Sequence, residues 1–289
     1  MNIGLSGDSV LVRVIKMPLM SKEDLKNAIQ FEAEQYIPMK IDQVVVDIHL
    51  QREVMDEGQK KLEVVLVAAK NEAIIDALNL IAKCQLEPHF IDYDPFCLQN
   101  SFEFNYGSKA GETVALIHCG SKISTLAMVE DGMFLLGRDL PMGGNQLTKD
   151  IQGSLKMEFP PAEDLKRAQG QLIVESEDMA IDRLPDKEDK TLRMHEAMLP
   201  TINRLIGEIR RSFDFYEAQG QKRAVNKILL SGGGALLKNF PQYLGDKTRV
   251  PVELHQPFGK IEIPPTLKDK IEPVAPQWSV AIGLAMRGL

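Results

Sequence analysis

Apolar and polar residues alternate at the start of the chain and then recur every three or four positions. The alternation from Ser9 to Met17 predicts a strand. Helical spacing follows from Ser21 to Pro38, with Asp24 placed three residues after Ser21 as in a capping box. Two more strands are predicted, from Val44 to Gln51 and from Leu62 to Ala69. The chain therefore opens with a compact β-α-β-β unit.

The remaining chain alternates between predicted strands and helices. The predicted strands are His89 to Asp92, Thr113 to His118, Ile123 to Val129, Met133 to Leu140 and Lys227 to Leu230. The predicted helices run through Ile74 to Ala82, from Pro95, from Gln146, through Ile202 to Tyr216, through Leu236 and Leu237, and from Val280 to Leu289. Asp131-Gly132 indicates a hairpin turn. Pro160, Pro161 and the acidic stretch from Glu175 to Asp189 indicate surface segments of an inserted subdomain.

Composition narrows the functional classes. With 289 residues, the chain has the length of two domains or one bilobal fold. Hydrophobic residues make up 44%, enough to bury a core, and the net charge of −7 disfavours nucleic-acid binding, which requires a basic surface. Cys84, Cys97 and Cys119 form no CxxC pair, so neither a disulfide framework nor a zinc site is expected. We also expect no signal peptide and no membrane span.

Three glycine segments follow predicted strands. They are His118-Cys119-Gly120-Ser121-Lys122, Gly143-Gly144-Asn145 and Ser231-Gly232-Gly233-Gly234-Ala235. Glycine lets backbone N–H groups approach an anionic ligand, because no Cβ is in the way. Glycine also simply permits tight turns, and none of the segments matches a Walker A loop or the Rossmann fingerprint. The four histidines other than His118 lack metal-ligand spacing, so we predict no metal site. The sequence contains no GxSxG elbow, so we predict no hydrolase triad.

The order of these segments resembles the actin/Hsp70-like (RNase H-like) two-lobed nucleotide fold. ALIHCGSKISTLAMVEDG resembles its phosphate-2 hairpin, ILLSGGGALLKNF its adenosine loop, and WSVAIGLAMRGL its closing helix. Together with VIKMPLMSKEDLKNAIQFEAEQYIP, VVLVAAKNEAIIDAL, RDLPMGGNQLT and EIRRSFDFY, they make nearly the whole chain similar to the PilM family of type IV pilus assembly proteins, relatives of FtsA. The resemblance implies an α/β fold with an FtsA/PilM-type 1C subdomain.

The resemblance also implies a division of the chain. Its parts would be a 1C-like subdomain with entry strand (1–68), the remainder of lobe I or 1A (69–110), lobe II or 2A (111–153 and 226–275), an inserted 2B subdomain (154–225) and the closing helix (276–289). The family's phosphate-1 loop is expected upstream of Met1. Lobe I is therefore expected to lack two strands and to expose the apolar faces of Val64, Leu66 and Ile91.

Candidate site residues follow from the same resemblance. The nucleotide-binding residues would be Gly120, Ser121, Gly143, Gly144, Glu208, Arg211, Gly232, Gly233 and Gly234. On spacing alone, Glu208 and Arg211 are an i,i+3 ion pair on a solvated helix face. Asp94 occupies the place of the superfamily's acidic residue and is the candidate catalytic residue. The resemblance implies ATP and Mg²⁺ as cofactors, but His118 replaces the phosphate-2 aspartate and supplies no carboxylate oxygen for Mg²⁺. This replacement argues against ATP hydrolysis by the chain. The expected position of the phosphate-1 loop, upstream of Met1, argues against it as well.

Three functions are compatible with the resemblance. The first is a cytoplasmic scaffold, peripheral to the inner membrane through protein partners, that captures the N-terminal tail of a PilN-like membrane protein between subdomains 1A and 1C. It would couple the inner-membrane platform to the cytoplasmic motor components, with the helix from Leu25 to Tyr36 and its flanking strands as a groove wall. The second is an ATPase or phosphotransferase of the superfold. The third is an FtsA-like cell-division filament protein, whose amphipathic membrane tether is not expected here. Neither nucleic-acid binding nor direct membrane insertion is expected.

Overall fold

The computed structural model describes residues 1–174, 189–218 and 223–288. The strands are β1 (Asn2–Leu5), β2 (Val10–Pro18), β3 (Val44–Asp56), β4 (Gln59–Lys70), β5 (Phe90–Tyr93), β6 (Thr113–Cys119), β7 (Ser124–Glu130), β8 (Met133–Leu140), β9 (Lys227–Ser231) and β10 (Val252–Leu254). The helices are α1 (Lys22–Glu32), α2 (Asn71–Lys83), α3 (Asp94–Tyr106), α4 (Gly144–Leu155), α5 (Phe159–Gln169), α6 (Lys190–Ala218), α7 (Phe240–Thr248), α8 (Pro265–Ile271) and α9 (Ser279–Met286).

β2, β4 and β3 form an antiparallel sheet in that order, which we call the small sheet. Helix α1 covers one face of it, where Leu25 packs in one apolar cluster with Val64 and Leu66 of β4. The Asp24 amide donates to the Ser21 hydroxyl at 3.1 Å, which caps α1 as predicted. The expected exposure of Val64 and Leu66 is therefore wrong, because α1 buries both side chains.

β1 pairs in parallel with β5, with Asn2 opposite Phe90. The sequence did not predict β1, a four-residue strand that contains Gly4 and lies outside the small sheet. Helices α3 and α9 pack tightly next to this pair. A Cβ added to Gly283 of α9 would lie 1.7 Å from the Cys97 carbonyl oxygen of α3. Only glycine allows the two helices to approach so closely.

The remaining strands form a five-stranded mixed sheet in the order β10-β9-β6-β7-β8, which we call the large sheet. β6 pairs in parallel with β9 and antiparallel with β7. Asp131 and Gly132 join β7 to β8 with φ angles of 53° and 81°, the left-handed pair that a tight hairpin favours. The predicted hairpin is confirmed. The long helix α6 buries Ile202 and Ile209 in the core on this sheet.

Some segments differ from their prediction. Pro160 and Pro161 lie in the first turn of α5, where a helix tolerates proline, so this surface segment is helical. The segment from Gly233 to Leu236 forms a short 3-10 turn, because adjacent glycines are poor helix formers. Helix α9 ends at Met286, and Leu289 lies outside the described residues, as do residues 175–188 of the predicted acidic stretch.

Within the described ranges, no helix combines the length and the apolar character that a bilayer span requires.

Candidate functional site

Two of the glycine loops bind each other beyond the end of β6. The amides of Gly144 and Asn145 donate to the carbonyls of Gly120 and Ser121 at 2.9 and 2.8 Å. A Cβ at Gly143 would lie 2.7 Å from each of these two carbonyl oxygens. The fold therefore brings four of the predicted site residues together. Close backbone approach makes glycine necessary at position 143.

The third loop, which follows β9, packs against the end of β6. Gly232 has a φ of +85°, and a Cβ there would lie 2.4 Å from the Cys119 carbonyl oxygen. A Cβ on Gly234 would lie 2.7 Å from the Cys119 Cβ. Gly233 differs, because a Cβ there would meet only Gln277 Nε2, at 3.8 Å. Two of the three glycines are therefore required by packing.

The loops surround a small cavity of about 20 Å³. Gly143, Gly144 and Gly234 line it together with Ile202 and Leu205 of α6. A cavity of this size holds about one water molecule. The first amides of α4 are hydrogen-bonded to protein carbonyls beside it.

Lys166 of α5 fixes the first turn of α4. Its Nζ donates to the Gly144 carbonyl at 2.9 Å, to the Thr148 hydroxyl at 2.8 Å and to the Glu163 carboxylate at 2.6 Å. Although burial alone would raise it, hydrogen bonds from Lys166, Thr148 and Arg167 lower the pKa of Glu163 to about 2. This network was not predicted from the sequence. The i,i+3 spacing of Glu163 and Lys166 is the sequence feature that could have indicated it.

Glu208 and Arg211 of α6 lie beside β8. Their side chains pair with each other, and Glu208 Oε2 lies 3.5 Å from Arg138 Nη2. Arg138 also donates to the Ser212 hydroxyl at 3.0 Å. The ion pair expected from spacing is confirmed and extended by Arg138. The contact of Glu208 and Arg211 with a nucleotide stays a prediction.

Asp94, the candidate catalytic residue, begins α3 directly after β5. Gly4 leaves room for its carboxylate, because a Cβ at Gly4 would lie 2.2 Å from Asp94 Oδ1. Burial, followed by the nearby carboxylates of Asp139 and Asp92, raises the pKa of Asp94 to about 6, although a hydrogen bond from Ser6 lowers it. Asp94 therefore takes up a proton at a higher pH than an ordinary aspartate.

Asp139 joins the β1–β5 pair to the large sheet. Its Oδ2 accepts from the Gly7 amide at 2.6 Å and from the Tyr93 hydroxyl at 3.3 Å, and its Oδ1 accepts from the Thr125 hydroxyl at 2.6 Å. The segment RDLPMGG carries part of the family resemblance, but no sequence pattern singles out Asp139 within it. Its three partners are far apart in sequence, so only the fold reveals the arrangement.

His118 and His255 lie near the C-terminal ends of β6 and β10. The His118 Nδ1 is 3.0 Å from the Ser231 hydroxyl, and the His255 Nδ1 is 2.9 Å from the Ser279 hydroxyl. Burial lowers the pKa of His118 to about 4; burial, followed by the charge of His118, does the same for His255. Both rings are therefore neutral and hydroxyl-bonded, His118 to β9 within the large sheet and His255 to the start of α9.

Comparison with protein families decides which family the chain is in. A family model described as type IV pilus assembly protein PilM matches residues 1–289. The chain belongs to the PilM family.

Solved structures agree with PilM-family membership. A structure described as a PilM-PilN type IV pilus biogenesis complex has a TM-score of 0.83 at 26% identity, covering 99% of this chain and 79% of that chain. The ethanolamine utilization protein EutJ from Carboxydothermus hydrogenoformans has a TM-score of 0.53 at 17% identity, covering 76% of this chain and 62% of that chain. MreB5 of Spiroplasma citri bound to AMPPNP has a TM-score of 0.54 at 15% identity, covering 76% and 65%. EutJ and MreB5 indicate the fold alone. The predicted actin-like α/β fold is confirmed.

ATP and Mg²⁺, which the PilM resemblance implies, fit these loops poorly. The first amides of α4 already bond to the carbonyl oxygens of Gly120 and Ser121, so they are not free to bind a phosphate. His118 presents a neutral imidazole where a hard cation requires oxygen ligands. We therefore derive no catalytic step from the glycine loops, and nucleotide binding stays a prediction.

Proposed function

We propose that this chain is an actin-like scaffold of the type IV pilus assembly complex and binds the N-terminal tail of a PilN-like membrane protein. The observation that carries the proposal is its similarity, over 99% of its length and at a TM-score of 0.83, to a chain in a PilM-PilN complex. Capture of a tail requires a preformed groove rather than catalytic residues. The similarities to EutJ and MreB5, at 17% and 15% identity, support the fold and favour neither an ATPase nor a filament role.

We assign the apolar contacts of the groove to the junction of the small sheet with α2. Val45 of β3 is 52% exposed and pairs with Ala69, two residues before α2 begins. Ile75 and Leu78 of α2 are 54% and 37% exposed. Apolar side chains left in solvent on neighbouring elements are typical of a protein-binding surface. A tail with apolar side chains would cover them.

Helix α1 has a smaller part in this assignment than the sequence predicted. Its residues Leu25 and Ile29 are buried in the core of the small sheet and are not available to a partner. The Asn71 side chain donates to the Asp42 carbonyl at 2.9 Å, which ties the start of α2 to the turn before β3. A rigid connection at this point favours a preformed groove.

The cellular setting follows from this partner. A scaffold that holds the tail of a membrane protein would stay in the cytoplasm and be peripheral to the inner membrane through protein contact. We further propose that the chain contacts the other components of the inner-membrane platform and of the cytoplasmic motor that the family resemblance implies as partners.

Calorimetry with a synthetic PilN-type N-terminal peptide tests the proposal. We expect saturable binding to the wild-type chain and at least about tenfold weaker binding to Leu78→Glu, because a buried charge opposes apolar contact. Leu267→Glu, in α8, is the matched control, since Leu267 is 42% exposed and lies outside the groove. The absence of binding by well-folded wild-type protein would contradict the scaffold proposal. Equal affinities of the two variants would contradict the assigned groove.

A further inference from the structure

A second surface lies at the other end of the large sheet from the glycine loops. A cleft of about 290 Å³ opens between the C-terminal half of α6, residues 224–225 before β9, and the end of α7. The glycine loops come after the C-terminal ends of β6, β8 and β9, whereas this cleft is lined by residues that precede β9 and β10. The cleft is therefore separate from the glycine loops.

The floor of the cleft is apolar. Phe213 of α6 and Val225 contribute buried side chains, and Val250 contributes a half-buried one. A volume near the lower end of the range for binding pockets accepts one or two side chains rather than a large cofactor. The floor thus favours an apolar side chain from another molecule.

The rim of the cleft carries two positive and two negative side chains. Arg210, Asp214 and Glu217 lie one turn apart along the same face of α6, and Arg249 lies across the cleft at the end of α7. All four are exposed, and none forms an ion pair or a side-chain hydrogen bond with another described residue. The spacing of Arg210 and Asp214 would allow an i,i+4 pair, yet their charged groups stay apart.

Three charged side chains near this rim in the sequence are paired, in contrast to the four of the rim. Glu208 pairs with Arg211 and Arg138 on another face of the same helix. Just after α6, Arg223 pairs with Asp131 at 2.8 Å. Among residues 1–174, 189–218 and 223–288, the four rim charges therefore have no partner, and they surround an apolar floor.

We propose that this cleft binds a peptide segment of a protein partner in which an apolar side chain lies between an acidic and a basic residue. The apolar side chain fills the floor, and the acidic group lies between Arg210 and Arg249, whose guanidinium groups suit a carboxylate. The basic group contacts Asp214 and Glu217. These two carboxylates would repel a nucleic acid or an anionic membrane, so the mixed rim favours a polypeptide.

Peptide selection tests this proposal on the full chain. A random heptapeptide display library is panned on the wild-type protein, and the enriched peptide is then synthesised and measured by calorimetry. We expect enrichment of an apolar residue between an acid and a base. Arg249→Glu should weaken the synthesised peptide at least about tenfold, since it replaces a charge-assisted hydrogen bond with like-charge repulsion. Panned itself, Arg249→Glu should select peptides with a base in place of the acid.

Two further variants make the test decisive. Arg204→Glu changes an exposed arginine of α6 that does not line the cleft, and it should bind the peptide as the wild type does. Arg210→Glu reverses the charge on the α6 side of the cleft, and it replaces Arg249→Glu in the test if that variant is poorly folded. An enriched peptide that binds both reversal variants at wild-type affinity would overturn the proposal, and so would the absence of any enriched motif.

Sedimentation measures whether the cleft instead binds a second copy of the chain. A wild-type dimer that is lost in Arg249→Glu would assign the surface to that second copy and would overturn the proposal of a peptide ligand. The PilN-type peptide should bind all variants equally, and its loss in the reversal variants would overturn the separation of the two surfaces.

Discussion

The side-chain amide of Gln51 completes both backbone hydrogen bonds of Phe134. Its Nε2 donates to the Phe134 carbonyl and its Oε1 accepts from the Phe134 amide, both at 2.8 Å. Gln51 lies at the register shift of β3, between Leu50 and Arg52, and Phe134 lies in β8. A side chain of the small sheet thus forms with β8 of the large sheet the pair of backbone hydrogen bonds that a neighbouring strand would form. This contact joins the two sheets directly.

Replacing Gln51 by leucine should destabilise the protein. Gln51→Leu leaves the amide and the carbonyl of Phe134 without these partners, so the free energy of unfolding should fall by about 1–3 kcal/mol. Urea unfolding measures the change. Gln242→Leu, on the exposed face of α7, is the control and should stay within about 0.5 kcal/mol of the wild type. Equal losses in the two variants would show that the Gln51 contact contributes nothing specific.

Stability should rise with pH between about pH 5 and pH 6. Burial holds the pKa of His118 and of His255 at about 4 in the fold, whereas unfolded histidine titrates near a pKa of about 6.5. The unfolded chain therefore binds nearly two more protons at these positions. Asp94 opposes this, because its folded pKa of about 6 lies above its ordinary value of 3.8 and the folded state binds more protons there. For these three groups together, the net difference of about one proton contributes a rise of about 1.4 kcal/mol per pH unit to the free energy of unfolding.

Removing the opposing carboxyl should steepen this dependence. Asp94→Asn removes the proton uptake that opposes the two buried histidines, so the slope should rise to about twice that of the wild type. Urea unfolding at several pH values measures both slopes. Asp164→Asn, on the exposed surface of α5, controls for the loss of one carboxyl group. An unchanged slope in Asp94→Asn would show that Asp94 does not titrate with a raised pKa.

The glycines after β9 should differ sharply in their tolerance of a methyl group. Gly232→Ala combines a φ of +85° with a Cβ 2.4 Å from the Cys119 carbonyl oxygen. It should lower the free energy of unfolding by more than about 2 kcal/mol. Gly233→Ala enters open space and should change it by less than about 1 kcal/mol. Thermal unfolding compares the two variants. Similar stabilities would mean that close packing does not explain Gly232.

No Mg²⁺-dependent ATP turnover above background is expected from the wild-type chain. Phosphoryl transfer depends on a positioned metal and on free donors, but His118 supplies no carboxylate and the α4 amides already bond to carbonyls. A phosphate-release assay measures turnover, and calorimetry with ADP measures binding separately. Steady release that disappears in Gly233→Arg, whose side chain would enter the open space beside Gln277, would contradict this prediction.

The sequence by itself determined most of the regular elements and the family. Periodicity predicted the strands of the small sheet and the hairpin at Asp131-Gly132, because alternation and turn chemistry are local properties. The capping of α1 by Ser21 was equally local. The segments around Gly120 and Gly232 carried the resemblance, since close backbone approach restricts these positions to glycine.

Only the tertiary structure decided how distant residues meet. β1 is too short to predict and forms because Phe90–Tyr93 lies beside it. The contacts of Asp139, of Gln51 with Phe134, and of Lys166 with Gly144 join segments that are far apart in the chain. The lowered pKa of His118 has the same origin, because burial depends on what packs around the ring rather than on its neighbours in sequence. Local chemistry specifies each element, whereas contacts between elements set the chemistry of the site.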